Sequence, residues 1–340
     1  MGLRETRIFI ICEDGMKKVK ERYLVTGATG YVGRHICRRL LAEGHVVSVI
    51  ARDKKRISDI EDSGINGKVY ETDITDTCGM ENVGGTFDYI IHCAAVTRSD
   101  IMISNPVEVA DGIVIGTRNV LELAKRCGTK SVVYISSMEV YGKVKDTGKP
   151  VTENILGDVD ILSARSCYPL GKRMAEQYCY GYYAQYKVPV KIARLAQTFG
   201  KGTDKNDTRV FMQFAKAAKY GKDIVLKTRG MSYGNYCGIE DTVEGILVIL
   251  REGEDGQAYN VVNEDNTMRI RDMAELVAGS LPRVEDGQDG IRVIYDIEDN
   301  SKTGYAPDTE LRLSSEKLRG LGWKPEKKLI QMYRDILEEL

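Results

Sequence analysis

The sequence predicts an α/β chain built on a doubly wound parallel sheet, with a smaller C-terminal α/β lobe interleaved with it. Three observations carry this reading. Runs that are apolar nearly throughout ("YLVTG", "VVSVI", "FDYIIHC", "SVVYISS", "VPVKIARL") alternate with stretches of helical period. A glycine-rich turn, "TGATGYVG", joins the first run to the first helix. After Gln197 the texture changes to shorter, mixed segments. Strands that are apolar on both faces need helices above and below, which is the arrangement of a covered parallel sheet.

The elements follow in order. Residues 1–22 form an N-terminal extension. A buried strand at 23–27 leads to a helix at 31–44, with Val32, Ile36 and Leu40 on one stripe. Strands at 46–50, 68–73, 87–93 and 131–137 continue the alternation, with a helix at 106–127 before the last of them. From Lys143 to Ser166 polar residues, glycines and Pro150 break the pattern, and so long an aperiodic stretch marks a functional or mobile segment. A helix begins near Tyr168 and runs towards Tyr186; Pro169 is tolerated because first-turn amides have no intrahelical partner. A strand at 188–195, a helix within 201–220, a short strand at "DIVL" and a helix in "EDTVEGILVILREG" follow. The stretch "AYNVVN" reads as a return to the main sheet. The expected organisation is a dinucleotide-binding domain at 23–196, completed by about 237–263, with a substrate lobe from 197–236 and 264–340.

Composition limits the function classes. At 340 residues, 42% hydrophobic and 29% charged, the chain is of globular type. A net charge of -1 gives no electrostatic case for nucleic acid as the main partner. The 8 cysteines include no CxxC pair and several lie in apolar runs, so they read as buried hydrophobes of a reducing compartment. His35, His45 and His92 are too scattered for a metal centre. No apolar run reaches membrane-span length, and "RIFIIC" is cut short by Glu13 and Asp14. "MGLRET" fits the myristoylation pattern, a match short enough to arise by chance. A cytoplasmic location without membrane or metal is expected.

In "TGATGYVG", Gly27, Gly30 and Gly33 permit a tight turn and let a pyrophosphate approach the helix N-terminus, where free amides and the dipole favour anions. Between a strand and a helix, heading a βαβ series, this spacing reads as the Rossmann-type dinucleotide turn. An acidic residue ending the second strand would grip the ribose hydroxyls of NAD. Here the strand ends "VIARDKKR", with Ala51 at that place and Arg52 after it. Arg52 can pair with the 2′-phosphate of NADP or stack on adenine, while Asp53 comes late and Lys54 and Lys55 add charge. NAD and NADP both remain open.

Further on, "ARSCYPLGKRMAEQ" places Tyr168 and Lys172 one helical turn apart. A neighbouring cation favours phenolate, which makes the phenol a proton shuttle; the bland alternative is an ordinary surface pair. Taken in order, "TGATGYVG", "ETDITD", "HCAA", "SSMEVYG" and "YPLGK" resemble the motifs of the extended short-chain dehydrogenase/reductase family, of NAD-dependent epimerase/dehydratase type. "RSCYPLGKRMAE" and "NDTRVFMQF" look most like UDP-glucuronate decarboxylases, with dTDP-glucose 4,6-dehydratases next.

The resemblance implies roles. Tyr168 takes a proton from the sugar 4-hydroxyl while hydride passes to the nicotinamide. Lys172 lowers its pKa and holds the nicotinamide ribose, and Ser137 hydrogen-bonds the same sugar oxygen. Tyr31 and Val32 join the three glycines and Arg52 around the cofactor, with Asp73 and Ile74 on the adenine side and Cys93, Ala94 and Ala95 at the fourth strand's end. Glu139 matches the carboxylate that handles the C5 proton in dehydratases and decarboxylases. Gln197 and Arg209 are the expected contacts to a nucleotide-diphosphate sugar. Departures from the pattern shape the subtype. Met138 stands where 4,6-dehydratases carry an acid to protonate the leaving C6 hydroxyl, and a thioether has no such proton, which favours decarboxylation. Gly234 stands where decarboxylases carry an arginine, and Ile113 replaces a frequent asparagine. The rivals are a 4-epimerase, a family reductase using exchanging NADPH, and a non-catalytic NAD(P)-binding sensor. A homodimer is expected through the helices at 106–127 and 168–186, because "MAEQYCYGYYAQY" is apolar or aromatic on more than one face.

Overall fold

The computed structural model describes residues 20–52, 64–280, 290–297 and 309–340. The expectations for residues 1–19, and for Asp53, Lys54 and Lys55, lie outside the described residues.

Seven strands make one fully parallel sheet. In chain order its first half runs β1 (Arg22–Thr26), α1 (Tyr31–Ala42), β2 (Val46–Ala51), β3 (Val69–Glu71), α2 (Thr77–Glu81) and β4 (Tyr89–His92). The second half runs α3 (Ser99–Ser104), α4 (Pro106–Cys127), β5 (Ser131–Ser137), α5 (Cys167–Tyr186) and β6 (Val190–Leu195). After β7 (Gln197–Phe199), α6 (Val210–Lys219), β8 (Ile224–Leu226), β9 (Tyr233–Gly238) and α7 (Ile239–Glu252), the chain returns as β10 (Ala258–Val261) beside β6. The sheet order is β10-β6-β5-β4-β1-β2-β3. It reverses direction of growth at β1/β4, and the crevice at that reversal is where doubly wound sheets bind ligands.

Burial explains the layers. Strands β1, β5 and β6 are buried along nearly their whole length, as two covered faces require. On one face Ile36, Cys37 and Leu40 of α1 and Val243, Ile246 and Leu250 of α7 pack against Val25, Val49 and Val133, with Trp323 closing the cluster. On the other, Val109, Val120 and Leu123 of α4 and Ala175, Cys179 and Tyr182 of α5 cover Leu24, Ile90 and Val132. Gly128, with φ of 60°, ends α4 in the left-handed conformation that glycine takes without strain.

The lobe has its own core. The Phe199 and Phe211 rings stack at 4.3 Å between centroids, and Tyr236, Met273, Met332 and Ile336 close around them. Its framework is β11 (Asn263–Arg269), α8 (Ile270–Ser280), β12 (Val293–Tyr295), α9 (Glu316–Arg319) and α10 (Leu329–Glu339). β11, β9 and β7 form one small sheet, and β12 pairs with β8. The aperiodic segment after β5 is held by two isolated bridges, Lys143 to Asp158 and Val151 to Leu313. The second of these ties it to the lobe. Among the described residues no helix is long and apolar enough to cross a membrane.

Candidate active site at the carboxyl ends of the strands

The turn after β1 is shaped for close approach. Gly27 has φ of 70°, and a Cβ there would lie 2.7 Å from the Ala94 nitrogen. A Cβ on Gly33 would strike the Gly27 carbonyl. The Gly30 amide donates to the Gly27 carbonyl at 2.9 Å, and Gly30 caps the helix whose first residues are Tyr31 and Val32. The amides of that first turn have no intrahelical acceptor, so they are available to a phosphate. The Tyr31 hydroxyl donates to the Lys201 carbonyl at 3.2 Å and accepts from Thr203 at 3.2 Å, which ties the turn to the loop after β7.

Just beyond β3, Asp73 accepts the Thr75 amide at 2.9 Å and the Thr75 hydroxyl at 2.8 Å, closing a side-chain turn. The Ile74 carbonyl is held by Asn119 at 2.8 Å. The Arg52 guanidinium lies 3.5 Å from Asp73 and is otherwise exposed. Beneath the crevice, His92 joins Thr26 at 2.7 Å to Thr117 at 3.1 Å, and the Ala94 amide donates to Thr26 at 3.3 Å. These bonds fix Cys93, Ala94 and Ala95 opposite the glycine turn. A turn without side-chain bulk, a helix start and an Arg/Asp pair at the far end of the crevice together fit a dinucleotide. Gly27, Gly30, Tyr31, Val32 and Gly33 would hold its pyrophosphate, with Arg52, Asp73 and Ile74 at the adenosine.

Ser137, Glu139, Tyr168 and Lys172 gather where β5 ends and α5 begins. Ser137 closes β5, and its hydroxyl accepts the Glu139 amide at 3.2 Å. The same hydroxyl lies against the Tyr168 phenol and favours its anion. Burial outweighs that help and pushes the Tyr168 pKa above its ordinary value, and the nearby Glu139 charge adds to the rise. Lys172 is 3% exposed and donates to the Ile135 carbonyl at 2.7 Å. Its ammonium sits 4.7 Å from the Tyr134 ring centre and 5.7 Å from that of Tyr168. Burial pulls its pKa down to about 8, against the fields of Cys93, Glu176 and Cys179. The lowering of the tyrosine pKa that the Tyr168/Lys172 spacing suggests is therefore not produced by the chain's own groups. An oxidised nicotinamide cofactor, if bound beside Tyr168 and Lys172, would supply the missing positive charge.

Glu139 is not free. Both its oxygens lie 2.8 Å from Nη2 of Arg165, a residue to which the sequence reading gives no role. The guanidinium carbon is 5.8 Å from the Tyr168 ring centre. The signal was the arginine three places ahead of the tyrosine, but nothing in the spacing says that it folds back onto residue 139. A second unread feature lies beneath: Glu176, one turn beyond Lys172, takes two bonds from Arg194 of β6 at 2.9 and 2.6 Å and one from Ser136 at 2.6 Å. Arg194 also reaches Tyr141 at 3.1 Å, whose hydroxyl donates to Asn260 of β10 at 2.6 Å. Met138 packs with Val140, Tyr141 and Ala196.

On the lobe side, the Gln197 Oε1 is buried without a hydrogen-bond partner. It stands in register with Tyr236, whose hydroxyl is likewise unpartnered. A side chain on Gly234 would run into that phenol, so β9 has no room there for a longer residue in this packing. Arg209, at the start of α6, is held by Asp207 at 2.6 Å and lies 4.7 Å from the Phe211 ring centre. Its positive field reaches both Tyr168 and Tyr236. Ile113 is buried against Gly171 of α5 and serves packing.

Residues 23–263 match the model of the NAD dependent epimerase/dehydratase family. The chain belongs to that family. Among curated relatives, a UDP-glucuronic acid decarboxylase 1 from Danio rerio is 32% identical over 265 residues, covering 77% of this chain and 61% of that protein. UDP-glucuronic acid decarboxylase 6 of Arabidopsis thaliana is 30% identical, covering 91% of this chain and 85% of its own length. Among solved structures, a Bacillus anthracis dTDP-glucose 4,6-dehydratase in complex with NAD superposes with a TM-score of 0.74 at 21% identity, over 94% of this chain and 96% of that one. The chain thus spans about six-tenths of the Danio protein's length (61%) and most of the plant protein's.

Proposed function

We propose that this family member oxidises the C4 hydroxyl of a nucleotide-diphosphate sugar transiently and, at the 4-keto stage, decarboxylates a uronic acid. The observation that carries this reading is the placement of Glu139, a carboxylate two residues from Ser137 whose charge acts on Tyr168, next to a Met138 that packs among apolar groups. A 4-keto sugar has an acidified C5 position, and a carboxylate beside it can return a proton there. Loss of CO₂ from such a keto acid needs no acid at residue 138, whereas expulsion of a C6 hydroxyl does. NAD(P), when bound, supplies a hydride acceptor for C4 and gives the hydride back. Tyr168 takes the C4 hydroxyl proton, Ser137 steadies that oxygen, Lys172 supplies positive charge below the pair, and Gln197 and Arg209 take the sugar and diphosphate. The decarboxylase relatives support the substrate class. We infer that the enzyme works as a homodimer, because Val107 and Ile115 of α4 and Met174 of α5 lie exposed on the outer helices, and in the reducing cytoplasm, because its described cysteines are free thiols.

A specific observation favours a second reading. With Tyr236 filling the space beside Gly234, β9 offers no cation to an acidic sugar, which suits a neutral hexose and 4-epimerisation. Turnover of UDP-glucuronate and UDP-glucose in D₂O separates the two. Decarboxylation places deuterium at C5 of the pentose product, and Glu139→Gln stalls after oxidation with absorbance growing at about 340 nm. Unlabelled C5 together with an active Glu139→Gln enzyme would establish the epimerase instead.

A further inference from the structure

β9 offers no cation to the crevice, but Arg165 places one beside Tyr168. It sits on the 3-10 turn Ala164–Ser166, immediately before α5, so its position is fixed by the same backbone that presents Tyr168. Only Nη2 is engaged among the described residues, on Glu139, and a guanidinium has further donors in its fork. The side chains of Arg165 and Glu139 are 33% and 38% exposed, so the pair is open to a ligand rather than sealed in the core. An exposed pair of this kind contributes little to stability. Its location, 5.8 Å above the phenol ring, is what sets it apart from a surface contact.

We propose that Arg165 is the specificity-determining residue of this site: it receives the carboxylate carried on C5 of the bound sugar, and by turning to it releases Glu139. This rests on the decarboxylase reading. In the resting pair both Glu139 oxygens face the guanidinium. A sugar carboxylate offers Arg165 the bidentate geometry that guanidinium prefers, leaving the Glu139 lone pairs free to take a proton from solvent. With C4 oxidised to the ketone by NAD(P)⁺, the bond between C5 and the carboxylate breaks. Its electron pair passes into the C4–C5 enolate, and CO₂ leaves without charge. Glu139 then delivers its proton to C5, and hydride returns to C4. Each turnover consumes one proton and one carboxylate and leaves the cofactor unchanged. Having lost its anion, Arg165 meets a Glu139 that has just regained its charge, and the resting pair re-forms. A neutral hexose brings no anion to Arg165, so Glu139 stays engaged.

The test is calorimetric binding of UDP-glucuronate and UDP-glucose to the full chain carrying Tyr168→Phe, which slows turnover, and to the same protein with Arg165→Ala, Arg165→Lys or Glu139→Gln added. Arg165→Ala should weaken UDP-glucuronate roughly 10- to 100-fold, the range for a hydrogen-bonded charge, and leave UDP-glucose within about twofold. Arg165→Lys should retain part of the preference. Glu139→Gln should tighten UDP-glucuronate several-fold, since it frees the guanidinium. Equal effects on both sugars, or none on either, overturn the role of Arg165, and the lysine and glutamine variants decide the matter if the alanine variant fails to fold. Failure of the decarboxylase reading looks different: the wild-type protein then oxidises UDP-glucuronate without releasing CO₂, or oxidises neither sugar.

Discussion

Tyr168 reaches the crevice because Cys167 and Pro169 open α5 at the point where the long segment after β5 ends, and Pro169 costs no bond in that first turn. Replacing its hydroxyl alone, in Tyr168→Phe, should lower turnover by about 10²- to 10⁴-fold while cofactor binding stays near wild type. Undiminished turnover by that variant would remove it as the proton acceptor. Lys172 gives a pH prediction. With its pKa lowered to about 8, the ammonium is charged below that pH and lost above it. The rate should therefore fall as pH rises through about 8, and Lys172→Arg should move that limb upward, because a guanidinium stays charged. A limb that does not move belongs to another group. At this scale the sequence is legible where the spacing is local: Ser137 and Glu139 stand in one short run and Tyr168 and Lys172 in another, one helical turn apart. Arg165 is not, because its pairing depends on how 24 or so aperiodic residues fold back, and no spacing rule describes that. The unpartnered Gln197 Oε1 also appears only once β7 and β9 are in register.

At the scale of elements, the Glu176–Arg194 pair binds α5 to β6, and through Ser136, Tyr141 and Asn260 it reaches β5, the turn after it and β10. Burial leaves both charges dependent on each other. Glu176→Gln should cost about 3–5 kcal/mol in urea unfolding, and restoring an uncharged pair with Arg194→Met should recover part of it. A loss below about 1 kcal/mol would show the pair to be dispensable. Helices α4 and α5 carry the second prediction at this scale. Ile115 is 38% and Met174 44% exposed, and a Cβ on Gly181 would meet nothing, so the outer surface is apolar and low enough for another helix. Light scattering should report a dimer at micromolar concentration, and Ile115→Glu should dissociate it. A wild-type monomer ends that idea. The large elements were readable because period and length agree: the helix at 106–127 has the same bounds in sequence and structure. The strands of the small sheet were not. "NEDNTMR" has no apolar alternation and pairs only through register with β9.

For the whole molecule, two histidines with lowered pKa values, His92 and the half-buried His35, set an acid limit. Burial lowers the pKa of His92 to about 3, and partial burial with the Arg34 and Arg38 charges lowers that of His35 to about 4. Both are neutral in the fold, and the unfolded chain takes up their protons first, near pH 6.5. Their contribution is fully present above about pH 6.5 and is lost as pH falls towards 4 and 3. Thermal denaturation should show the midpoint dropping across that window, and His92→Gln should flatten the drop. The doubly wound sheet itself was legible from the apolar runs and the glycine turn, since a covered strand leaves few other compositions. Its last strand is legible too: "AYNVVN" reads as a return to the main sheet, and Ala258–Val261 pairs with β6.

That last strand has a consequence for synthesis. β6 pairs with β5 on one side and with β10 on the other, and β10 arrives only after α6, β8, β9 and α7 have been made. A chain grown past Leu195 but short of β10 can therefore form six of the seven strands, with the β6 edge, lined by the backbone of "VKIARL", left unpaired in addition to the permanent edge at β3. Such an edge is a template for stray pairing until its own partner emerges. Some sixty residues later the Gly256 amide meets the Val190 carbonyl at 2.7 Å and the Ala196 amide meets the Val261 carbonyl at 3.1 Å, sealing both ends of the gap. The nascent chain is most exposed to chaperones and to its own neighbours in that interval, and a truncation ending inside it should aggregate rather than yield a soluble nucleotide-binding fragment.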